Sequence, residues 1–343
     1  MKYVFGPVPS RRLGQSLGVD PIPFKTCNWN CVYCQLGRTS PLINDRRDYF
    51  PPEDILAEVR QSLAERPPGS IDWITFVGSG EPTLHASLGR MIRAVKSETD
   101  IPVAVITNGS LLTDAAVRDE LQAADAVMPT VDAGNERLYL RMNRPLPQLD
   151  FDTFVRGLVD FREQYSGSLW VEVMLVRGLN DSETALRELA QVLARIRPDA
   201  IHVNSPTRPA CEPWVQPTDA AGLQRAREIL GRAVQVVQPS HGEFDLSGYA
   251  GVTDAVTAVI QRHPISEDEL IQVLTRWRPG LVRESLAELK RSGQAQVVDR
   301  GQQRFWSCAA ARYVDPAEQH QVSTVAADVE QHADSAQERQ KSN

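Results

Sequence analysis

Residues Thr26-Cys27-Asn28-Trp29-Asn30-Cys31-Val32-Tyr33-Cys34 gather three of the chain's five cysteines into eight positions. Structural zinc is closed by four protein ligands, yet the next cysteine in the chain is Cys211. Three thiolates can instead hold a [4Fe-4S] cluster and leave one iron open for an exogenous ligand, whereas electron carriers commonly use four cysteines. The spacing, three residues then two, therefore points to catalysis.

Outward from this loop, the chain reads as alternating strands and helices. Ser16–Asp20 predicts a first strand, whose C-terminal end delivers the cysteines. Further strands are expected at Trp73–Val77, Val103–Ile106, Ala126–Val131, Leu169–Leu175 and Ala200–Asn204. Helices are expected from Pro51-Pro52 to Ala64, over Leu88–Val95, Asp114–Ala123, Phe151–Gln164 and Ser182–Ile196, and over 217–235. Short apolar strands alternating with amphipathic helices predict a parallel sheet with right-handed crossovers. Six such units make a partial (β/α)6 TIM-like barrel, with the active site at the C-terminal strand ends.

The motif Cys27-x-x-x-Cys31-x-Tyr33-Cys34, with an aromatic residue before its third cysteine, resembles the signature of the radical S-adenosylmethionine (SAM) superfamily. That resemblance implies that Cys27, Cys31 and Cys34 bind a [4Fe-4S] cluster. It further implies that SAM chelates the open iron and is cleaved reductively to a 5'-deoxyadenosyl radical, which abstracts hydrogen from a substrate. Gly78-Ser79-Gly80-Glu81-Pro82, after the second strand, looks like the superfamily's glycine-glycine-glutamate-proline motif, with Ser79 replacing its first glycine. By the same resemblance Tyr33, Gly78, Gly80, Glu81, Thr107, Asn108, Asp132 and Asn204 form the SAM-binding set. A carboxylate or carbonyl at Glu81 would accept from the SAM ammonium, and Thr107-Asn108 and Asp132 would meet its carboxylate and ribose. Asn204 would face adenine. Helix capping is the plainer reading of Thr107-Asn108 and of Asp132.

Other polar residues carry weaker signals. Glu172, inside a strand, is expected to be ion-paired, and His202, between Ile201 and Val203, to be a buried barrel histidine. Arg144 in Arg141-Met142-Asn143-Arg144-Pro145 could bind a substrate anion or lie in solvent. Cys211 reads as an inert small residue with a redox role left open, and Cys308 has no assigned role. Basic residues at Arg11-Arg12, Lys25 and Arg46-Arg47 flank the cysteine loop.

The composition, 42% hydrophobic and 24% charged over 343 residues, fits one large domain and a small one. No spanning apolar run and no secretory leader are expected, and three poised thiols suit a reducing compartment. A cytoplasmic protein without a membrane partner is expected. The net charge of -7 argues against a general polyanion binder.

The barrel domain is expected over 1–240, a linker over 241–252, a second module over 253–313 and a disordered tail over 314–343. Helices at Thr253–Gln261, Ser266–Thr275 and Gly280–Ser292, followed by a hairpin over Ala295–Ser307, resemble a winged helix-turn-helix domain. Between Pro264 and Arg304, seven Lys and Arg oppose six Asp and Glu. That near balance does not favour DNA over protein docking, peptide binding or RNA presentation.

The opening Phe5-Gly6-Pro7-Val8-Pro9-Ser10-Arg11-Arg12-Leu13-Gly14 resembles uncharacterised relatives of the wyosine tRNA-base synthases. Those synthases use extra N-terminal cysteines, and this chain has none before Cys27. RNA, a peptide or protein, and a small molecule all stay open as substrates, with a flavodoxin- or ferredoxin-like electron donor. The rival reading is an iron-sulfur redox sensor coupled to a winged-helix DNA reader. A zinc-bound module is a third, lacking a fourth local ligand.

Overall fold

The computed structural model describes residues 1–10, 12–231, 234–236, 249, 251–301 and 303–314. Its main sheet has eight strands in sequence order: β1 Val4–Ser10, β2 Gly14–Val19, β3 Trp73–Phe76, β4 Val103–Thr107, β5 Ala126–Pro129, β6 Ser168–Met174, β7 Ala200–Asn204 and β8 Val234–Val236. β1 pairs antiparallel with β2, and every later neighbour is parallel. Among the described residues the strand order leaves β1 and β8 as edges, as in an open partial barrel.

The six expected parallel strands are β2 to β7, and the sheet extends beyond both ends of that set. β1 escapes a sequence reading because Pro7 and Pro9 interrupt its pattern, yet an edge strand tolerates proline because half its donors need no ladder partner. The helix expected over 217–235 is shorter, Ala220–Leu230, with Gly231 as its C-cap, and β8 takes the residues beyond.

Helices α1 Pro52–Ala64, α2 Leu88–Glu98, α3 Ala115–Leu121, α4 Glu136–Met142, α5 Phe151–Gln164, α6 Glu183–Ile196 and α7 Ala220–Leu230 fill the connections. Asp150 and Ser182 cap α5 and α6 by accepting from the amides of Thr153 and Ala185, each cap worth about 1 kcal/mol. β6 shows how the sheet divides its faces. Leu169, Val171 and Val173 are fully buried in the main core with Leu186, Leu189 and Leu193 of α6, and each such side chain contributes about 1.5–3 kcal/mol. Trp170, Glu172 and Met174 alternate with them on the opposite face. A lysine in place of Val171 would put an unpaired charge into that core.

Beyond α7, helices α8 Val252–Arg262, α9 Glu267–Val273 and α10 Pro279–Arg291 pack on a small sheet of β9 Ile265–Ser266, β10 Ala295–Arg300 and β11 Gln303–Cys308, ordered β10-β11-β9. Val256, Ile260, Leu270, Val282 and Leu286 form a separate core here. Residues 241–248 and 250 of the expected linker, and the tail from 315 on, lie outside the described residues. Among the described residues no helix is long and apolar enough to cross a membrane.

Candidate functional site

The cysteine loop leaves the C-terminal end of β2 and has almost no regular structure, so its shape comes from neighbours. Backbone bonds fix it at Glu81 N–H to Thr26 O (2.8 Å), Ile43 N–H to Cys27 O (2.9 Å), Leu146 N–H to Asn28 O (3.0 Å) and Val32 N–H to Met142 O (2.9 Å). The Asn30 amide donates to the carbonyls of Asn143 and Arg144, both at 3.1 Å. Trp29 anchors the middle, buried edge-on against Tyr139 and Phe154 with ring centroids 5.4 and 5.6 Å away. Gly80 sets how closely the β3 turn approaches: a Cβ there would stand 1.9 Å from Thr26 O. Glycine is required at this position by backbone contact.

Each sulfur of the motif is faced by an N–H donor. Trp29 N–H and Asn108 Nδ2 lie 3.4 and 3.7 Å from Cys27 Sγ, Asn143 Nδ2 lies 3.8 Å from Cys31 Sγ, and Lys25 Nζ lies 3.2 Å from Cys34 Sγ. Such an environment suits thiolates, which accept hydrogen bonds, and metal ligands are ordinarily supported this way. Cys211 is also close by, because Glu212 N–H bonds Val32 O at 3.0 Å. Its fully buried sulfur faces oxygens instead, Glu212 Oε1 at 3.9 Å and Asn30 Oδ1 at 4.0 Å. A neutral S–H fits there and a thiolate does not.

Burial, then the charge of Glu81, pushes the Cys27 thiol up to about 12; burial and the other two thiols raise Cys31 well above the ordinary value. Burial pushes Cys211 up to about 12 as well. Burial opposes the Lys25 ammonium, yet the charges of Cys34 and Cys27 hold its pKa above the usual lysine value. Metal binding to these thiols would therefore release protons. Among the described residues no three His, Cys, Asp or Glu side chains converge as ligands of a single ion. A four-iron cluster asks for a wider triangle, since each thiolate meets a different iron, and three thiols each faced by an N–H donor are the donor chemistry it takes.

The strand-end residues come together, but their carboxylates are already occupied. Glu81 is 1% exposed; its Oε1 accepts from Thr83 N–H (3.0 Å), Thr83 Oγ1 (2.5 Å) and Thr107 Oγ1 (2.6 Å), and its Oε2 accepts from Asn108 N–H (2.6 Å). Burial still raises its pKa above the usual carboxylate value. Asp132 Oδ2 accepts from Tyr33 Oη (2.5 Å) and Asn143 Nδ2 (2.7 Å), while its Oδ1 accepts from Met174 N–H (2.7 Å). Burial pushes Asp132 up to about 6, and burial with the Asp132 charge pushes Tyr33 well above its ordinary value.

Asn108 Nδ2 donates to Asn28 Oδ1 (2.7 Å), while Asn28 donates in turn to Ser110 Oγ (2.8 Å). Ser79, where the motif has glycine, grips Asp20 through its hydroxyl (2.6 Å) and its amide (3.1 Å). Gly78 precedes it in the same turn. Asn204, at the end of β7, is half-buried, with Nδ2 3.5 Å from Glu172 Oε1.

Glu172 pairs with Arg12, as expected of a strand-interior carboxylate. His202 is buried edge-on against Trp170, and burial followed by the Arg12 charge lowers it to about 4. The segment expected as a substrate loop is half helix: Arg141 and Met142 end α4, Met142 and Asn143 are buried, and Arg144 donates to the buried Glu212 at 2.5 Å. Its guanidinium is half-exposed and already paired with this carboxylate. The useful residue of this stretch is Asn143, which links Cys31, Tyr33 and Asp132 and was not singled out from sequence. Asn28 escaped notice too, although it lies inside the motif.

The C-terminal module closes over the same loop. Arg38 N–H bonds Arg312 O (2.6 Å), Tyr313 Oη donates to Gln35 O (2.6 Å), Gln35 Nε2 donates to Arg262 O (3.2 Å), and Val314 N–H reaches Cys211 O (3.2 Å). Gly37 bridges to Arg312, whose carbonyl would stand 2.4 Å from an added Cβ.

The Radical SAM superfamily description matches residues 22–190. A UPF0026 protein of Methanocaldococcus jannaschii is 34% identical over 282 residues, covering 80% of this chain and 87% of that protein. A protein named GTPase Obg from Brachyspira hyodysenteriae is 40% identical over 229 residues, 67% of this chain, but the chain spans only 33% of that protein's length. In three dimensions the chain is similar to a radical SAM methyltransferase from Sphaerobacter thermophilus, with a TM-score of 0.48 and 20% identity, covering 66% of this chain and 67% of that one. The chain belongs to the UPF0026 family and, through residues 22–190, to the radical SAM superfamily of enzymes, whose cofactors are S-adenosylmethionine and a [4Fe-4S] cluster.

Proposed function

We propose that Cys27, Cys31 and Cys34 hold the [4Fe-4S] cluster and that the enzyme cleaves SAM reductively to abstract hydrogen from a substrate. The observation that carries this reading is the contrast between the sulfurs: N–H donors face all three of the motif, and oxygen acceptors face Cys211. Loaded, the cluster supplies the one electron that splits the sulfonium of SAM into methionine and a 5'-deoxyadenosyl radical.

Glu81 and Asp132 hold the ends of β3, β4 and β5 in shape through these hydrogen bonds. The surface that meets SAM is then left to the backbone of Gly78–Gly80, the edge around Thr107, Asn108 and Tyr33, and the side chain of Asn204. RNA, a peptide or protein, and a small molecule are the proposed substrate classes, the first kept by the resemblance of the opening stretch to relatives of the wyosine synthases. A flavodoxin- or ferredoxin-like protein is the proposed electron donor.

The module from α8 to β11 is proposed to be winged-helix-like. Of the cations Arg283, Lys290 and Arg291 on α10, Arg283 and Arg291 pair with Glu267 and Glu288, which reduces the positive charge that face offers to DNA. The redox-sensor reading gains no support from such a surface.

Anaerobically reconstituted protein should hold four irons and, with dithionite and SAM, release 5'-deoxyadenosine, whereas Cys31→Ala should do neither. Intact SAM beside a fully reduced cluster would overturn the proposal.

A further inference from the structure

Lys25 sits immediately before the motif with φ of 60°, a left-handed conformation that a non-glycine residue adopts rarely and at a cost. Such strain persists only where surrounding structure over-determines it, and it clusters at functional sites. Three bonds determine it here. The Lys25 amide donates to Ser79 O at 2.7 Å, and its ammonium donates to Gly37 O at 2.7 Å and to Cys34 Sγ at 3.2 Å.

The three motif sulfurs are therefore not equivalent. Cys27 and Cys31 face neutral amides, from Trp29, Asn108 and Asn143, while Cys34 faces a cation. Among the described residues Lys25 is in no ion pair with a carboxylate, so its charge is not cancelled locally. Cluster potentials respond to net charge, to hydrogen bonds on the sulfurs and to solvent exposure. A nearby cation and a donated hydrogen bond both favour the more negative, reduced state.

We propose that Lys25 sets the reduction potential of the cluster, raising it through a charge-assisted hydrogen bond to Cys34 Sγ. This inference rests on the assignment of Cys34 as a ligand made above. Lys25 is a positioning residue in this role, because it acts through a ligand.

The test is a redox titration of the reconstituted full-length chain, followed by electron paramagnetic resonance without SAM, with iron counted in each sample. K25M retains the stem and the same backbone strain but neither charge nor donor. Its midpoint should fall by at least ~59 mV, a tenfold change in a one-electron equilibrium, with iron content unchanged. K25R, which keeps the charge, should stay within threefold of wild type on the same scale.

A loaded K25M with the wild-type midpoint overturns the inference and leaves the cluster assignment standing. Should K25M fail to load, K25A carries the same measurement. Loss of iron from both neutral variants, with K25R still loaded, also overturns it, because Lys25 would then serve cluster assembly. A wild-type protein that takes up no cluster sinks the ligand assignment itself, and the inference falls with it.

Discussion

Replacing Glu81 with glutamine separates two roles that the sequence motif leaves fused. In the structure both carboxylate oxygens accept from the protein: three donors meet Oε1 and the Asn108 amide meets Oε2. A glutamine must turn its NH2 toward one of these sets. The less costly choice faces Asn108 N–H and leaves that buried donor without an acceptor, at about 1–3 kcal/mol. The three bonds kept at the other oxygen drop from the ionised class, about 1.5–3 kcal/mol, to the neutral class, about 0.5–1.5 kcal/mol. Relief from burying the carboxylate charge, which already raises the Glu81 pKa, offsets part of this loss. The net destabilisation expected of E81Q is about 2–4 kcal/mol.

Urea unfolding of the metal-free proteins measures that change. Hydrogen exchange should localise it to residues 107–113, where β4 ends and the next turn begins. SAM affinity of the loaded variants is measured alongside. If E81Q is as stable as wild type to within about 0.5 kcal/mol while SAM binding weakens tenfold or more, Glu81 is a ligand of SAM and its role as a clamp on the strand ends is refuted.

Two further outcomes follow from the same geometry. Burial raises Asp132 from 3.8 to about 6, so the folded chain holds this proton more tightly than the unfolded one. The associated stability is complete below the unfolded value and is lost as pH rises through 6. About two pH units correspond to about 3 kcal/mol, so the metal-free wild type should lose stability of that order relative to D132N between roughly pH 4 and pH 6. An unchanged difference across that window, by chemical denaturation, would mean that its three hydrogen bonds offset burial and the carboxylate sits as an ion. For Cys211, whose sulfur has oxygen acceptors as its hydrogen-bond partners among the described residues, C211S should hold as much iron as wild type with the same paramagnetic spectrum, and loss of iron would make it a ligand.

The parallel strands were legible because each is a short apolar run next to a helix with a clear apolar stripe, and their order along the sheet is their order in the sequence. β1 was not, since Pro7 and Pro9 erase the pattern a strand is recognised by, and neither was α4, which runs straight into the Arg144-Pro145 stretch. At the site, the motif cysteines and the polar strand ends could be read from spacing. What surrounds them could not: Asn143 is 112 residues from Cys31 and Glu212 is 68 from Arg144, distances that only the fold closes. Glu81 and Asp132 show a different gap. A sequence reveals a carboxylate at a strand end but not that Thr83, Thr107, Tyr33 and Asn143 already donate to it.

The same reasoning bears on what the C-terminal module does. Ordering one residue of loop backbone costs about 1–2 kcal/mol, and the stretch from Thr26 to Ile43 has no helix or strand bonds of its own to offset that cost. Its partners come from the β3 turn, the end of α4, the segment at Cys211–Glu212 and the last described residues, Arg312–Val314. Three of these contacts belong to the barrel, and the fourth exists only because α8 to β11 bring the chain back across the cysteine loop. Arg262 adds a buried pairing with Asp20, at 3.6 Å, beside the Ser79 bonds that shape the β3 turn. The module thus reaches the cysteines from two directions, through the loop itself and through the turn packed beneath it. It packs directly against the stretch that follows Cys34 and against the turn beside it.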